Sequence, residues 1–262
     1  MLFINTRPTE RAQPLSEAMQ AAQFTVLELP LLKLTAYPFS DDLAQLYAQL
    51  SVTDVIVVVS PMAVEVGFAY LQRAGLCLDQ LQHMTWIAVG QATATCLMRY
   101  GVSKISVPEV ETSEGMLSLP ALQQLNVKKI AFWRGEGGRQ FMMQQLAQQG
   151  ISVLNFLLYY RECPAQSHMI FKQNIALIRQ HEICYVCISS EASWLNWLNL
   201  CQNDQDILTR CHYLVLGTRL SDVLHITAKK MNCHLKQQIL TDLSPQQIQQ
   251  RIMYNHASWN SK

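Results

Sequence analysis

Several polar residues of this chain stand directly after apolar runs that have the composition of buried strands. Ser60 follows "VIVVV", Ser190 follows "CYVCIS", and Arg134 and Gly135 follow "IAFW". In open α/β sheets, ligands bind at the carboxyl ends of the strands. A helix that begins there adds free backbone N–H groups and a positive dipole end, which favour anions. These strand ends are therefore the candidate positions for chemistry.

The segment "RGEGGRQF", residues 134–141, is the strongest single candidate site. Its three glycines let the backbone approach a ligand closely, and Arg134 and Arg139 can each bind a carboxylate or phosphate. The alternative interpretation of the same residues is a tight turn between a strand and a helix, with arginines exposed to solvent. The segment is neither a P-loop nor a dinucleotide-binding fingerprint, because it lacks both Gly-Lys-Ser/Thr and Gly-x-Gly-x-x-Gly.

Hydroxyl side chains near the other strand ends have two interpretations each. Ser60 and Ser190 either cap a helix or contact a ligand, and capping is favoured. A serine hydrolase is disfavoured, because neither serine lies in Gly-x-Ser-x-Gly and no histidine stands at a comparable strand end. Thr93 in "GQATA" is a turn residue or a ligand hydroxyl. Tyr159 and Tyr160 alternate on a strand, so one can face a core and the other a ligand.

Short β-rich runs alternate with longer amphipathic stretches along the chain. This alternation, with continuous apolar strands, predicts an α/β protein with parallel sheets covered on both faces. The predicted strands are 2–6, 25–29, 54–59, 85–89, 104–107, 129–133, 152–158, 184–189, 213–217 and 237–240. The predicted helices are 10–23, 40–50, 62–74, 91–100, 114–125, 138–149, 168–180, 191–201, 219–231 and 244–255.

Three strand-end signatures occur twice in the same order. "FINTRP" with Arg7 matches "IAFWRG" with Arg134, Ser60 matches Ser190, and "TWIAVG" matches "HYLVLG". The offsets are 134 − 7 = 127, 190 − 60 = 130 and 217 − 90 = 127. A near-constant offset indicates two copies of one supersecondary unit. We therefore expect two similar α/β lobes with a cleft between them.

Two unusually extended segments, 29–38 and 153–164, occupy matching places in the two repeats. A tandem arrangement divides the chain near residue 127. An exchanged arrangement lets both segments cross together, which better explains why both are extended, although the sequence does not choose. The exchanged domains are 1–33 plus 164–262 and 37–160, with linker crossings at 34–36 and 161–163.

Composition excludes several classes of protein. Of 262 residues, 50% are hydrophobic and 15% charged, so the chain can bury a core. Twenty Lys and Arg against nineteen Asp and Glu leave no basic footprint, and no nucleic acid partner is expected. No apolar run approaches the roughly 20 residues that span a bilayer, and "MLFINTRP" is not a signal peptide. We expect a cytoplasmic protein without membrane contact.

Cysteine and histidine give no metal-site signature. Cys184 and Cys187 have zinc-like spacing, but residues three apart on a strand point to opposite faces. No second Cys or His pair completes a site, so no metal is expected. The seven histidines show no pairing and are assigned no chemistry.

The ordered motifs resemble the uroporphyrinogen-III synthase family of tetrapyrrole biosynthesis. They are "TRP" (6–8), "SPMAVE" (60–65), "VGQATA" (89–94), "TSEGML" (112–117), "RGEGGR" (134–139), "YYR" (159–161) and "ISS" (188–190). The resemblance implies two flavodoxin-like parallel-sheet domains joined by a two-stranded antiparallel linker, each domain assembled by exchange.

The resemblance also implies which residues act. Tyr160 and Thr93 are the expected catalytic residues. One departure is "GTRLS" after the penultimate strand, where Arg219 and Leu220 replace the family's small hydroxyl pattern and Thr218 can substitute. The expected substrate-binding residues are Arg7, Ser60, Arg134, Gly135, Arg139, Ser190 and Thr218.

The implied substrate is hydroxymethylbilane, a linear tetrapyrrole with eight carboxylates. Its closure with loss of water and inversion of ring D gives uroporphyrinogen III, and no metal or organic cofactor is needed. The preceding pathway enzyme is a further expected partner, through transient contact, and a monomer suffices. A two-lobed cytosolic small-anion-binding protein without catalysis remains the alternative. A receiver-like pair is disfavoured, because Asp54 stands at a strand's beginning.

Overall fold

The computed structural model describes residues 1–110, 113–123, 127–137 and 140–259. The chain divides into two compact units. The terminal unit comprises Met1–Lys33 and Glu162–Lys262, and the central unit is Leu34–Arg161. Among the described residues, no helix is both long and apolar enough to cross a membrane.

Strands and helices alternate as the sequence predicts. The strands are β1 (Leu2–Asn5), β2 (Thr25–Glu28), β3 (Lys33–Ala36), β4 (Val55–Val58), β5 (Thr85–Ala88), β6 (Ile105–Ser106), β7 (Lys129–Gly135), β8 (Ser152–Glu162), β9 (Cys184–Ile188), β10 (His212–Leu216) and β11 (Lys236–Leu240). The helices are α1 (Thr9–Ala21), α2 (Asp41–Ala48), α3 (Pro61–Arg73), α4 (Gln91–Arg99), α5 (Ser113–Leu117), α6 (Pro120–Gln123), α7 (Phe141–Gln148), α8 (Ala165–Gln180), α9 (Glu191–Leu200), α10 (Gln205–Arg210), α11 (Thr218–Lys230) and α12 (Pro245–Trp259).

The terminal unit is built on a five-stranded sheet in the order β11-β10-β9-β1-β2. All four strand pairs are parallel, in registers such as Ile4↔Val186 and Val215↔Ile188. Every residue of β1 and β9 is buried, as expected for strands covered on both faces.

Aromatic residues with satisfied polar ends fill the core of the terminal unit. Trp194 and Trp197 of α9 are fully buried. The Trp197 indole donates to the Tyr213 hydroxyl at 3.0 Å, and that hydroxyl donates to the Leu208 carbonyl at 2.7 Å. These bonds remove the cost of burying the polar atoms of large aromatic side chains.

The central unit contains a sheet in the order β3-β8-β7-β4-β5-β6. The pairs from β8 to β6 are parallel, with Val57 of β4 beside both Phe132 and Ile87. Trp133 of β7 is fully buried and makes edge contacts with Phe68 and Trp86.

Helix boundaries follow local chemistry. Ser60 and Ser190 cap α3 and α9, and Pro61 takes the first position of α3. Gly75 and Gly101 follow α3 and α4 with φ of +75° and +91°, so their lack of a Cβ lets the chain leave the helix.

Two differences from the sequence predictions have local causes, and one segment that was predicted to be extended forms a further strand. The predicted helix 114–125 is two short helices, α5 and α6, because the Pro120 nitrogen cannot donate to a continuing helix. The predictions also missed α10, a helix of six residues that is too short to show periodicity. The extended segment 29–38 contains a four-residue strand, β3, beside β8 in the sheet order.

Candidate functional site

Ser60 links the carboxyl edge of the central sheet to the start of α3. It follows β4 with extended backbone, and its Oγ accepts from the Ala63 N–H at 3.1 Å. The same Oγ lies 2.9 Å from the Tyr159 hydroxyl, within hydrogen-bonding distance. The capping prediction for Ser60 is therefore confirmed. The bond to Tyr159 is a contact that the sequence did not indicate.

Gly135 and Tyr159 face each other where β7 and β8 pair. The register is irregular between Arg134 and Gly135, which sets Gly135 opposite Tyr159. A Cβ on residue 135 would lie 2.4 Å from carbons of the Tyr159 ring. Glycine is thus required here for the approach of the phenol ring. Tyr159 is 2% exposed, so the sequence correctly predicted that one of the two adjacent tyrosines faces a core.

Arg134 is a buried cation at the end of β7. Its residue is 5% exposed, and Nη2 donates to the Gly137 carbonyl. The other terminal nitrogen, Nη1, has no hydrogen-bond partner among the described residues. Burial lowers the pKa of the guanidinium, while the neighbouring Tyr159 phenol acts in the opposite direction. A buried donor without an acceptor is well suited to an anionic ligand. Arg139, the second predicted arginine, lies outside the described residues.

Thr93 lies in the first turn of α4, which follows β5. It is 4% exposed, and its N–H donates to the Gly90 carbonyl at 3.1 Å. Gly90 precedes the helix with extended backbone and supplies no side-chain cap. The placement inside a helix start is confirmed, and the role of the Thr93 hydroxyl stays a prediction.

Tyr160 follows Tyr159 on β8 and is half-buried. Its ring centroid lies 4.9 Å from that of Tyr37, with the two planes at 44°. The next residue, Arg161, donates from Nη1 to the Glu136 carbonyl at 2.9 Å and lies over the Tyr159 ring. Tyr160 therefore belongs to a group of aromatic and charged side chains on the central unit.

The terminal sheet repeats part of this arrangement at the ends of β9 and β10. The Ser190 Oγ accepts from the Ser193 N–H at 3.1 Å, so the capping prediction holds here too. Thr218 begins α11, directly after Gly217 with φ of +77°. A hollow of about 270 Å³ lies at this edge. Its lining includes Ser189, Ser190, Glu191, Leu216 and Arg219.

Arg7 follows β1 and is half-buried. Its N–H donates to Asn5 Oδ1 at 3.2 Å, and the Asn5 amide in turn donates to the Ala12 carbonyl and to Ser16 Oγ. The buried Asn5 thus fixes the turn from which Arg7 extends. The sequence predictions missed Asn5, although a polar residue that ends the apolar run "LFI" is a signal for such a position.

Three of the histidines line one hollow, although no contact between any two of them is seen among the described residues. His212, His225 and His234 line a hollow of about 420 Å³ with Lys236, at the amino-terminal side of β10 and β11. The residues come from separate elements, so sequence spacing could not reveal the cluster. Within the described ranges, no group of three or more His, Cys, Asp or Glu side chains could hold a metal ion.

Taken together, the strand ends define an α/β protein whose parallel sheets present hydroxyl groups, helix amides and a buried arginine suited to an anionic ligand. A family model described as uroporphyrinogen-III synthase HemD matches residues 13–230. The chain therefore belongs to the uroporphyrinogen-III synthase family, whose members are cyclising lyases of tetrapyrrole biosynthesis.

Individual relatives agree with this assignment. The uroporphyrinogen-III synthase of Salmonella typhimurium is 30% identical over 164 residues, which cover 62% of this chain and 65% of that protein. The Escherichia coli synthase is 26% identical over 224 residues, which cover 84% of this chain and 89% of that protein.

Solved structures show the same fold. A mutant uroporphyrinogen III synthase from Thermus thermophilus superimposes with a TM-score of 0.62 at 15% identity, covering 98% of each chain. The Helicobacter pylori enzyme gives a TM-score of 0.58 at 12% identity, covering 97% of this chain and 98% of its own.

Proposed function

We propose that this chain converts hydroxymethylbilane to uroporphyrinogen III, by loss of water and closure of the ring with ring D inverted. The observation that carries the proposal is the family match over residues 13–230, supported by motif residues at the strand ends of both sheets. Family membership favours this enzyme over the small-anion-binding protein. The test is to supply freshly prepared hydroxymethylbilane, oxidise the products and separate the isomers. An excess of type III over the protein-free control supports the proposal.

The chemical problem is one of positioning. Departure of the substrate hydroxyl leaves an electrophilic azafulvene, and unassisted closure at the nearest free carbon gives the type I isomer. The enzyme must instead present the substituted carbon of ring D, so that a spiro intermediate forms, opens and recloses with the ring inverted. Fixing the geometry of such an intramolecular reaction can contribute several kcal/mol to the rate.

The groups of the protein that can bind anions are proposed to bind the carboxylates of the substrate. On the central unit, Arg134 offers an unpaired Nη1, and α4 begins at Gly90 without a side-chain cap. On the terminal unit, Arg7 and the start of α11 at Thr218 offer a cation and helix amides. Each edge can thus bind carboxylates by charge-assisted hydrogen bonds. Ser60, Gly135, Arg139 and Ser190 remain proposed contributors to binding.

Tyr160 is the proposed acid for the departing hydroxyl. A phenol hydroxyl carries a proton that it can donate to the leaving oxygen as the C–O bond breaks. The half-buried position of Tyr160 supports this role better than that of Tyr159, whose hydroxyl is already bonded to Ser60. Thr93 is the second proposed catalytic hydroxyl.

The variant Tyr160→Phe tests the acid role. It should slow turnover while leaving the fold intact. Tyr100→Phe serves as the control, because Tyr100 lies at the far end of α4. Unchanged turnover in Tyr160→Phe would remove the role.

Exchanged flavodoxin-like domains give the simplest account of the strand orders. The terminal sheet has the flavodoxin-like order 2-1-3-4-5 when its strands are numbered along the chain. In that numbering, the strands one to five are β1, β2, β9, β10 and β11. The central sheet gives the same order if β7 and β8 are counted first and β4, β5 and β6 follow. Each domain would then take two strands from one repeat and three from the other.

The proposed crossings are 34–36 and 161–163, as an antiparallel pair, between domains 1–33 plus 164–262 and 37–160. The division into Met1–Lys33 with Glu162–Lys262 and Leu34–Arg161 supports this proposal. Expression of fragments tests it: Leu34–Arg161 should fold alone and unfold cooperatively, whereas residues 1–127 should not. The opposite result would favour the tandem arrangement.

Transient contact with the preceding pathway enzyme is also proposed, because hydroxymethylbilane closes spontaneously to the wrong isomer in solution. The test lets the preceding enzyme make labelled hydroxymethylbilane in the presence of this protein. If the intermediate is transferred directly, added unlabelled hydroxymethylbilane should dilute the label in the final product only slightly. Full dilution would argue against the contact. The cytoplasmic location stays a prediction.

A further inference from the structure

Both backbone polar groups of Tyr37, its N–H and its carbonyl, are hydrogen-bonded within the central unit. Its N–H donates to the Leu158 carbonyl at 2.9 Å, and its carbonyl accepts from the Tyr70 hydroxyl. The first bond ties Tyr37 to β8, two residues before Tyr160. The second ties it to α3. The position of the Tyr37 ring is therefore set by the fold of the central unit.

The Tyr37 ring packs against Tyr160, with centroids 4.9 Å apart and planes tilted by 44°. An aromatic contact at this distance restricts how the second ring can turn. Among the described residues, Tyr37 is the ring in contact with Tyr160. Whatever orientation the Tyr160 phenol adopts must therefore accommodate Tyr37.

Glu136 interacts with the hydroxyl end of the Tyr37 side chain. Hydrogen bonding to the Glu136 carboxylate raises the pKa of the Tyr37 phenol above its ordinary value. Glu136 is itself anchored, because its N–H donates to the Tyr159 carbonyl at 2.7 Å and its carbonyl accepts from Arg161 at 2.9 Å. Glu136 is thus bonded to both chain neighbours of Tyr160. Tyr37 stays neutral, so it places no negative charge beside Tyr160.

We propose that Tyr37, tethered by Glu136, is a positioning residue that holds the Tyr160 phenol in the orientation from which it donates to the departing hydroxyl. The inference rests on the acid role proposed for Tyr160. Tyr37 acts through the contact of its ring with Tyr160 and contributes no proton of its own. Its effect is to limit the Tyr160 ring to the productive orientation, and small misplacements of a reacting group can lower rates by about 100-fold.

The experiment compares single and double variants of the full chain. Tyr37→Ala removes the ring contact and should lower kcat about 10-fold with little change in KM, because orientation of the acid matters in the reacting state and not in substrate binding. Tyr37→Phe keeps the ring and loses the tether, so its kcat should fall by about 2- to 3-fold, which is a partial rescue. Tyr100→Ala is the matched control, since it removes a stacked aromatic contact, with Phe68, elsewhere in the same unit. Its kcat should be unchanged.

A double-mutant cycle separates positioning from a general structural effect. In the Tyr160→Phe background, Tyr37→Ala should lower kcat by less than about 2-fold, because the acid that it positions has been removed. A full 10-fold loss in that background would overturn the proposal, as would unchanged kcat in Tyr37→Ala alone. If Tyr37→Ala fails to fold, Glu136→Ala makes the same comparison through the tether. Unchanged turnover in Tyr160→Phe would instead refute the acid role itself, and that result is seen without any Tyr37 variant.

Discussion

The contact between Ser60 and Tyr159 makes a quantitative prediction for the variant Ser60→Ala. The variant loses the α3 cap, in which Ser60 Oγ accepts from Ala63 N–H, and such caps contribute about 1 kcal/mol. It also leaves the Tyr159 hydroxyl, on a residue that is 2% exposed, without its partner. An unsatisfied buried hydroxyl costs about 1–3 kcal/mol. We therefore expect Ser60→Ala to lower the free energy of unfolding by about 2–4 kcal/mol.

Ser40→Ala is the matched control in the same unit. Ser40 caps α2 by accepting from the Leu43 N–H at 3.3 Å, and within the described part of the chain it bonds to no tyrosine. Its loss should cost about 1 kcal/mol. Tyr159→Phe in the Ser60→Ala background should recover part of that loss, because it removes the buried hydroxyl that Ser60→Ala leaves without a partner. Urea unfolding followed by tryptophan fluorescence measures all four proteins. Equal losses in Ser60→Ala and Ser40→Ala would refute the reasoning.

Three further predictions test other parts of the site and fold. Gly135→Ala should lower the free energy of unfolding by about 1–3 kcal/mol in urea unfolding, because its Cβ would meet the Tyr159 ring at 2.4 Å; an unchanged value would show that the ring moves freely. Arg134→Gln should raise KM for hydroxymethylbilane at least about 10-fold in initial-rate assays, since it removes a charged hydrogen bond to a carboxylate, and an unchanged KM would exclude that contact. Burial raises the pKa of the Cys187 thiol from 9.0 to about 12, so the folded chain keeps a proton that the unfolded chain loses. The free energy of unfolding should therefore fall as the pH rises from 9 toward 12. Cys187→Ala should make that fall less steep between about pH 8 and 10.5. An equal slope of unfolding free energy against pH in both proteins would contradict this.

Much of the fold could be predicted because its signals are local. Apolar runs such as "VIVVV" specify strands buried on both faces, and serine–proline or glycine boundaries mark helix ends. All ten predicted strands have counterparts in the structure. The missed helix α10 is short and lies between two longer elements, where its six residues carry too little periodicity. Strand order could not be derived, because it depends on contacts between distant segments.

For the candidate site, the sequence predicts which residues follow the strand ends, and it does not predict which of them contact one another. Ser60, Ser190 and Thr93 lie at helix starts as expected, because caps and turns follow from neighbouring residues. The Ser60–Tyr159 bond joins residues 99 apart and depends on the irregular register at Gly135. Sequence spacing contains no information about such a register. The same limit applies to the contact between Tyr37 and Tyr160, which brings two distant segments together.

Ring inversion is the central claim, and one labelling measurement tests it directly. Hydroxymethylbilane is prepared with ¹³C at the hydroxymethyl carbon and at the ring D α-carbon that joins the rest of the chain. Inversion bonds these two carbons to each other, so the product formed with this protein should show a one-bond ¹³C–¹³C coupling in its NMR spectrum. Closure without inversion bonds the hydroxymethyl carbon to the other α-carbon of ring D. A product lacking that coupling, as in the protein-free reaction, would contradict the proposed function.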